Sequence, residues 1–249
     1  MEAIKKTIYK ITDQDINDLY SGNVHLLIVK NASETDIEKF GDLENQDLYG
    51  KKRVPVGTDD AKTEEHVWQT YEMLWHSDRA YLPDVHPFVG LYCKVADIGS
   101  SPTYFCDNFK AWQNLSDNLK AKIKEENPVH FSIRTYFERT TYPHTFRSAA
   151  YERLFKIKSK AYHNLYRNDI WGEYLFYSQG YAKTKYFEEL NEEAFIDENC
   201  FSHIWEPGDL LVFNNLTYSH RRDNTDEKIR RRLMRYAFRK TGNDTLIID

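Results

Sequence analysis

The stretch Leu74–Trp75–His76–Ser77–Asp78 decides how this sequence is interpreted, because it holds an imidazole and a carboxylate two residues apart. In an extended strand alternate side chains point to the same face, so His76 and Asp78 would face one space. An open metal site with two histidines and one carboxylate needs such a pair and a second histidine from elsewhere. The pair alone favours an ordinary strand-end histidine hydrogen-bonded to Asp78, so only its context can indicate a metal site.

A second stretch supplies the further histidine. It begins with His203–Asp209, continues through the apolar run Leu210–Phe213 to Ser219–His220, and ends in the basic segment Arg230–Arg235. Together the two stretches resemble the iron-binding segments of the TauD/TfdA-like Fe(II)/2-oxoglutarate-dependent dioxygenases. The resemblance covers roughly residues 24–238.

The resemblance implies a site and its cofactors. His76, Asp78 and His220 match the family's ligands to Fe(II), and 2-oxoglutarate and O2 are the implied cosubstrates. The family's arginine for the distal carboxylate of 2-oxoglutarate follows the distal histidine by a little over ten residues, which points to Arg232. Thr103, 27 positions after His76, falls where the family has a hydroxyl that hydrogen-bonds to the same carboxylate of 2-oxoglutarate.

Strand alternation gives a separate argument for Arg232 over its neighbours. The side chains on its face are apolar and suit a core: Met234, Tyr236 and Phe238. The other face is mostly charged and suits solvent: Arg231, Leu233, Arg235 and Arg239. A register slip of one residue would make Arg231 or Arg235 the partner of 2-oxoglutarate instead.

The candidate substrate-binding residues are Arg79 and Tyr81, beside the first stretch, and Tyr236, on the face of Arg232. Related enzymes that act on sulfonates and carboxylates have a basic residue that anchors the substrate where this chain has Tyr236, and this difference argues against a taurine-like substrate.

The first hypothesis is hydroxylation of an unactivated C–H bond in a small polar metabolite, a free amino acid or a derivative, with release of succinate and CO2. Desaturation or oxidative rearrangement in natural-product biosynthesis would use the same ligands. Halogenation is disfavoured, because related halogenases have a small residue where this chain has Asp78.

A nucleic-acid demethylase with the same cofactors is a second hypothesis. The basic run 221–240 and the aromatic and basic segment 140–169 would form its binding surface. The net charge of −5 and the 144-residue interval between His76 and His220 favour the small-molecule branch, and a small-molecule substrate is expected. A binding module without catalysis is a third hypothesis, against which the intact triad argues.

Hydrophobic patterning predicts an α+β chain with a mainly β core. Predicted strands span 24–29, 89–95, 103–105, 129–137, 174–177, 210–213 and 231–238. Predicted helices span 35–41, 108–127 and 190–199. The resemblance implies one domain over 1–249, a double-stranded β-helix (jelly-roll, cupin-like) with flanking helices. Residues 42–62 are a candidate active-site loop and 140–169 a candidate insert between core strands.

Cysteine use and hydropathy predict the compartment. Cys93, Cys106 and Cys200 form no CxxC pair and are expected to be small buried side chains. No apolar run approaches the roughly 18 residues of a membrane-spanning helix, and no membrane association is expected. The N-terminal residues lack the apolar segment of a secretory signal. A cytoplasmic protein is therefore expected.

Overall fold

The computed structural model describes residues 4–44, 52–57, 72–140, 160–226 and 228–240. The strands in these ranges are β1 (Lys5–Ile8), β2 (Leu26–Val29), β3 (Asp42–Leu43), β4 (Val54–Gly57), β5 (Met73–His76), β6 (Phe88–Ala96), β7 (Thr103–Asp107), β8 (Val129–Ser132), β9 (Lys160–His163), β10 (Tyr166–Asp169), β11 (Gly172–Leu175), β12 (Ala182–Lys183), β13 (Cys200–His203), β14 (Leu210–Asn214), β15 (Tyr218–Arg222) and β16 (Arg231–Arg239). The α-helices are α1 (Asp13–Ser21), α2 (Asn108–Asn114), α3 (Asp117–Glu126), α4 (Ile133–Arg139) and α5 (Phe187–Ala194). Two 3-10 helices cover Glu34–Phe40 and Asp197–Asn199. None of the helices in these ranges has the length and apolarity to cross a membrane.

Two sheets carry the candidate site. The large sheet has the order β1-β2-β14-β6-β16-β3, with β4 also paired to β16. The small sheet has the order β13-β7-β15-β5. Their strands pair antiparallel except for β1 and β2, which are parallel. This arrangement confirms the predicted α+β class with a mainly β core.

Aromatic side chains join the two sheets. Phe105 of the small sheet meets Phe213 of the large sheet edge-on, with ring centroids 5.2 Å apart. Phe213 in turn lies edge-on to His220, at 5.2 Å. β14 contributes only buried residues, because both of its faces are covered, which explains the continuous apolar run that predicted it. The inner faces of the sheets therefore form one core that reaches the candidate site.

Several predicted strands are confirmed with shifted ends. They are the predictions at 24–29, 89–95, 103–105, 210–213 and 231–238, which correspond to β2, β6, β7, β14 and β16. The prediction at 174–177 overlaps the end of β11, and that at 190–199 overlaps the end of α5. The strands among them are mostly apolar or alternating, the pattern for which periodicity is most informative.

Two predicted elements are wrong because a serine starts a new helix inside them. The helix predicted over 108–127 is two helices, since the Ser116 hydroxyl accepts from the Leu119 N–H and begins α3. The strand predicted over 129–137 stops at Ser132, whose hydroxyl accepts from the Arg134 N–H and begins α4. A serine in an extended conformation before a helix satisfies one of the N–H groups that the first turn leaves open.

The segment predicted as a loop over 42–62 is partly strand. Asp42–Leu43 and Val54–Gly57 both pair with β16, and Gly57 lies opposite Arg232. Residues 45–51 and 58–62 lie outside the described residues, as do 141–159 of the segment predicted as an insert. The predicted helix at 35–41 is a 3-10 helix, and Ser33 with Asp36 forms its capping box instead of Thr35 with Glu38.

We expect Phe105→Ala to lower the free energy of unfolding by about 3–5 kcal/mol, because the fully buried ring leaves a cavity between the sheets. Urea unfolding followed by circular dichroism measures the change. Ile98→Ala is the control, since Ile98 is fully exposed and its removal should change stability by less than about 0.5 kcal/mol. Equal losses in the two variants would contradict the role assigned to Phe105.

Candidate active site

His76, Asp78 and His220 converge at one end of the small sheet. β5 and β15 pair antiparallel with His76 opposite His220, and the two imidazole centroids are 4.3 Å apart. One oxygen of the Asp78 carboxylate lies 3.8 Å from His76 Nε2 and the other lies 3.9 Å from His220 Nε2. The potential ligand atoms of the three residues all lie within 4.8 Å of one another. The structure therefore brings the predicted triad together.

Two buried atoms of this cluster indicate that it suits a metal ion. Like His220 Nδ1, the atoms His76 Nε2 and Asp78 Oδ2 have no hydrogen-bond partner among the described residues. His76 Nδ1 donates to the Leu74 carbonyl at 2.7 Å, so the proton is on Nδ1 and the Nε2 lone pair faces the cluster. Buried polar atoms without a partner are costly, and a divalent cation would satisfy both. Two imidazoles and one carboxylate are the donor set of open Fe(II) sites.

The electrostatics hold the three side chains in the protonation states that bind metals. Burial lowers the pKa of His76, and it lowers the pKa of His220 to about 3. Burial alone would raise the pKa of Asp78, but the Arg235 guanidinium and the nearby histidines lower this pKa to about 2. Arg235 Nη1 donates to Asp78 Oδ1 at 2.8 Å. At neutral pH the cluster therefore offers neutral imidazoles and an ionised carboxylate.

Thr103 lies beside an arginine, as the resemblance implied, but the arginine is Arg231. Arg231 is buried, and its Nη2 and Nε donate at 2.8 Å to the Thr103 hydroxyl and to the Ser101 carbonyl. The Trp205 indole N–H also donates to the Thr103 hydroxyl, at 2.9 Å. A hydroxyl that accepts two hydrogen bonds keeps its own hydrogen for a further acceptor. Arg231, Thr103 and Trp205 thus form one hydrogen-bonded group.

The prediction that Arg232 faces the core and Arg231 faces solvent is wrong. Arg231 is 2% exposed, whereas Arg232 is partly exposed, and the two lie on opposite faces of β16. Both faces of this strand are covered. One face contacts Thr103 of the small sheet through Arg231 and Asp78 beyond the end of β5 through Arg235, and the other packs on the 3-10 helix Glu34–Phe40. Alternation groups side chains by face but does not say which face the site occupies.

Tyr236 is on the wrong face for the predicted role in substrate binding. Its hydroxyl donates to Glu34, on the side of β16 away from Asp78. Arg235, one residue earlier, takes the position next to the carboxylate. Arg235 follows Arg231 by four residues, so the two side chains share a face of the strand. Because the prediction chose Arg232, one residue further on, it placed Tyr236 on the site face instead of Arg235.

The other two predicted substrate residues follow the triad directly. Arg79 has a left-handed backbone (φ 59°), and its guanidinium contacts His86. The Tyr81 ring lies edge-on to Tyr181 at 5.1 Å, and Tyr181 lies edge-on to His76 at 6.1 Å. A single aromatic ring, Tyr181, therefore separates Tyr81 from the triad, while the Arg79 side chain points towards His86.

We expect the metal-free protein to lose stability as the pH falls from 6.5 towards 3. The unfolded chain protonates His220 near pH 6.5, whereas burial delays protonation of the native residue to about pH 3, so unfolding takes up a proton in this window. His220→Gln should flatten the pH dependence of the free energy of unfolding by up to about 1.4 kcal/mol per pH unit. Urea titrations in chelator across this range measure the slope. An unchanged slope in the variant would contradict the assignment.

Comparison with known proteins identifies the family of this chain. The model of the family described as taurine catabolism dioxygenase TauD, TfdA family matches residues 25–237. The alpha-ketoglutarate-dependent 2,4-dichlorophenoxyacetate dioxygenase of Cupriavidus pinatubonensis is 25% identical over 202 residues, which are 79% of this chain and 68% of that protein. The 3-((Z)-2-isocyanoethenyl)-1H-indole synthase of Fischerella ambigua is 22% identical over 69% of this chain and 65% of that protein. The chain thus spans about two thirds of the length of these relatives.

Solved structures share the fold. AAD-2 in complex with Mn(II) and N-oxalylglycine aligns with a TM-score of 0.67 at 20% identity, covering 92% of this chain and 89% of that one. A taurine dioxygenase from Burkholderia xenovorans aligns with a TM-score of 0.63 at 15% identity, covering 92% and 81%. Because the family model matches most of the length of this chain, the chain belongs to the TauD/TfdA family and is an Fe(II)- and 2-oxoglutarate-dependent dioxygenase.

Proposed function

We propose that this protein hydroxylates an unactivated C–H bond of a small carboxylate-bearing metabolite, with free amino acids and their derivatives as the first class to test. 2-Oxoglutarate and O2 are consumed, and succinate and CO2 are released. The observation that carries the proposal is the buried cluster of His76, Asp78 and His220 with Arg235 on its carboxylate. Iron held by these three residues would supply the activation of O2 that is coupled to decarboxylation of 2-oxoglutarate.

Arg231 and Thr103 bind the distal carboxylate of 2-oxoglutarate in this proposal. A guanidinium binds both oxygens of a carboxylate through parallel N–H groups, and the Thr103 hydroxyl adds a third donor. Arg231 shares a face of β16 with Arg235, which contacts Asp78, so the cosubstrate would extend along this face towards the metal. Bonds to Ser101 and Thr103 hold the Arg231 guanidinium before the cosubstrate arrives.

Arg235 is the proposed anchor for the substrate carboxylate. Its side chain is 22% exposed and reaches the metal cluster, so a small anion could contact it without moving the sheet. Tyr81 would line the same space, and Arg79 would support it from the side of His86. The relative from Cupriavidus pinatubonensis is named for 2,4-dichlorophenoxyacetate, which also carries a carboxylate. Tyr236 has no part in this proposal, because it points to the opposite face.

The proposal takes residues 1–249 as one domain built on a double-stranded β-helix, which the facing large and small sheets support. A cytoplasmic location goes with it, since free thiols at Cys93, Cys106 and Cys200 and a ferrous cofactor both suit a reducing compartment. Desaturation or rearrangement would start from the same C–H bond, so the mass of the product distinguishes these outcomes from hydroxylation.

We expect the true substrate, when it is added from a library of candidate compounds, to raise the rate of succinate formation at least tenfold, and this increase identifies it. The library should pair each free carboxylate, amino acids first, with its primary amide, because an arginine anchor favours the anion by about 1.5–3 kcal/mol. Asp78→Ala and His220→Ala should abolish turnover, since each removes a ligand. Equal turnover of acids and amides would contradict the Arg235 anchor, and turnover that survives either ligand substitution would contradict the metal site.

We expect Arg231→Ala to weaken 2-oxoglutarate binding by about 10- to 100-fold, the loss of a charge-assisted bidentate contact. Arg232→Ala is the matched control, because it removes the same side chain from the neighbouring residue on the other face of β16. Its dissociation constant should stay within about threefold of the wild type. Calorimetric titration with 2-oxoglutarate in the presence of Mn(II) measures both. The reverse order of effects would restore Arg232 as the partner.

A further inference from the structure

Asn215 holds the backbone of Asp78 from the other half of the site. The Asp78 N–H donates to Asn215 Oδ1 at 2.8 Å, and Asn215 Nδ2 donates back to the Asp78 carbonyl at 3.0 Å. The second Nδ2 hydrogen goes to the His86 carbonyl, at 2.8 Å. Asn215 is fully buried, so water does not compete for these bonds.

This contact holds the backbone from which the Asp78 side chain projects. A side-chain amide has one acceptor and two N–H groups, and Asn215 uses all of them on the backbone of the segment 78–86. Bonds to both the N–H and the C=O of one residue hold the peptide planes on its two sides, and these planes set the direction of the Cα–Cβ bond. Asp78 needs such support because it lies beyond the end of β5, and Arg79 after it has a left-handed backbone.

The turn that contains Asn215 leads into β15, the strand that carries His220. Asn215 begins the turn between β14 and β15, five residues before His220, and its own N–H donates to the Pro87 carbonyl at 2.8 Å. The ladder between β5 and β15 sets His76 against His220, but it does not include Asp78. The Asn215 side chain supplies the missing connection between the carboxylate and the distal histidine.

We propose that Asn215 is a positioning residue of the metal site, which sets the distance of the Asp78 carboxylate from the two imidazoles. The inference rests on the proposed assignment of His76, Asp78 and His220 as metal ligands. Asn215 itself contacts neither the metal nor the substrate. Removing a group that orients a ligand characteristically weakens metal binding by about 10- to 100-fold.

Asn214→Ala is a matched control for Asn215→Ala. Asn214 is also fully buried, and its Oδ1 accepts from the N–H groups of Leu216 and Thr217 at 2.9 and 3.3 Å, so it supports the same turn without contacting Asp78. Both variants should lower the melting temperature of the apoprotein. In calorimetric titration with Mn(II), Asn215→Ala should raise the dissociation constant at least tenfold, and Asn214→Ala should leave it within about threefold.

Three outcomes decide the proposal. Weakening confined to Asn215→Ala supports it. A dissociation constant that is unchanged in Asn215→Ala, or equally raised in both variants, overturns it while leaving the metal site intact. A wild-type protein that binds Mn(II) no better than His220→Ala overturns the metal site, and the role of Asn215 falls with it.

Asn215→Asp covers the case in which the alanine variant does not fold. It keeps the size of the side chain and the acceptor for the Asp78 N–H, but it loses both donors. The absorption spectrum of bound Co(II), which reports ligand geometry, should differ from that of the wild type in Asn215→Asp and match it in Asn214→Ala. Identical spectra and affinities in all three proteins would overturn the proposal.

Discussion

The antiparallel pairing of β5 with β15 is the interaction on which the candidate site depends. It sets His76 opposite His220 although 144 residues separate them in the chain. β15 pairs on its other side with β7, where Phe105 lies opposite His220 and Thr103 begins the strand. The two ladders of β15 therefore place the two histidines of the candidate metal site, the core ring of Phe105 and the Thr103 hydroxyl, so a shift in the register of β15 would displace all of them together.

β16 completes the site from the opposite sheet. Arg231 reaches Thr103 and Arg235 reaches Asp78, from positions four residues apart on one face. The other face carries Tyr236, which is covered by the segment around Glu34. This strand can carry two arginines on its inner face because Ser101, Thr103 and Asp78 accept hydrogen bonds from them, since buried charges without partners are costly.

Much of the fold could be predicted, because long apolar or alternating strands such as β6, β14 and β16 carry their signal locally. Two of the errors came at Ser116 and Ser132, where a single hydroxyl begins a helix and no periodicity indicates it. In the site, the side chains of the triad were predicted from the resemblance of two separated stretches to the iron-binding segments of the family. Asn215 was not singled out, because an asparagine in a turn has the same local signal whether it faces solvent or the backbone of a metal ligand.

The sequence by itself determined the chemistry that is available: two histidines and one carboxylate in a fixed order, a hydroxyl at Thr103, and a basic last strand. Only the tertiary structure decided that Arg231 and Arg235 lie beside Thr103 and Asp78, that Tyr236 contacts Glu34 instead, and that Cys106 lies opposite Cys200 in neighbouring strands. The physical reason is that strand alternation tells which side chains share a face. Which face holds the site depends on what packs against each side, and those partners come from distant parts of the chain.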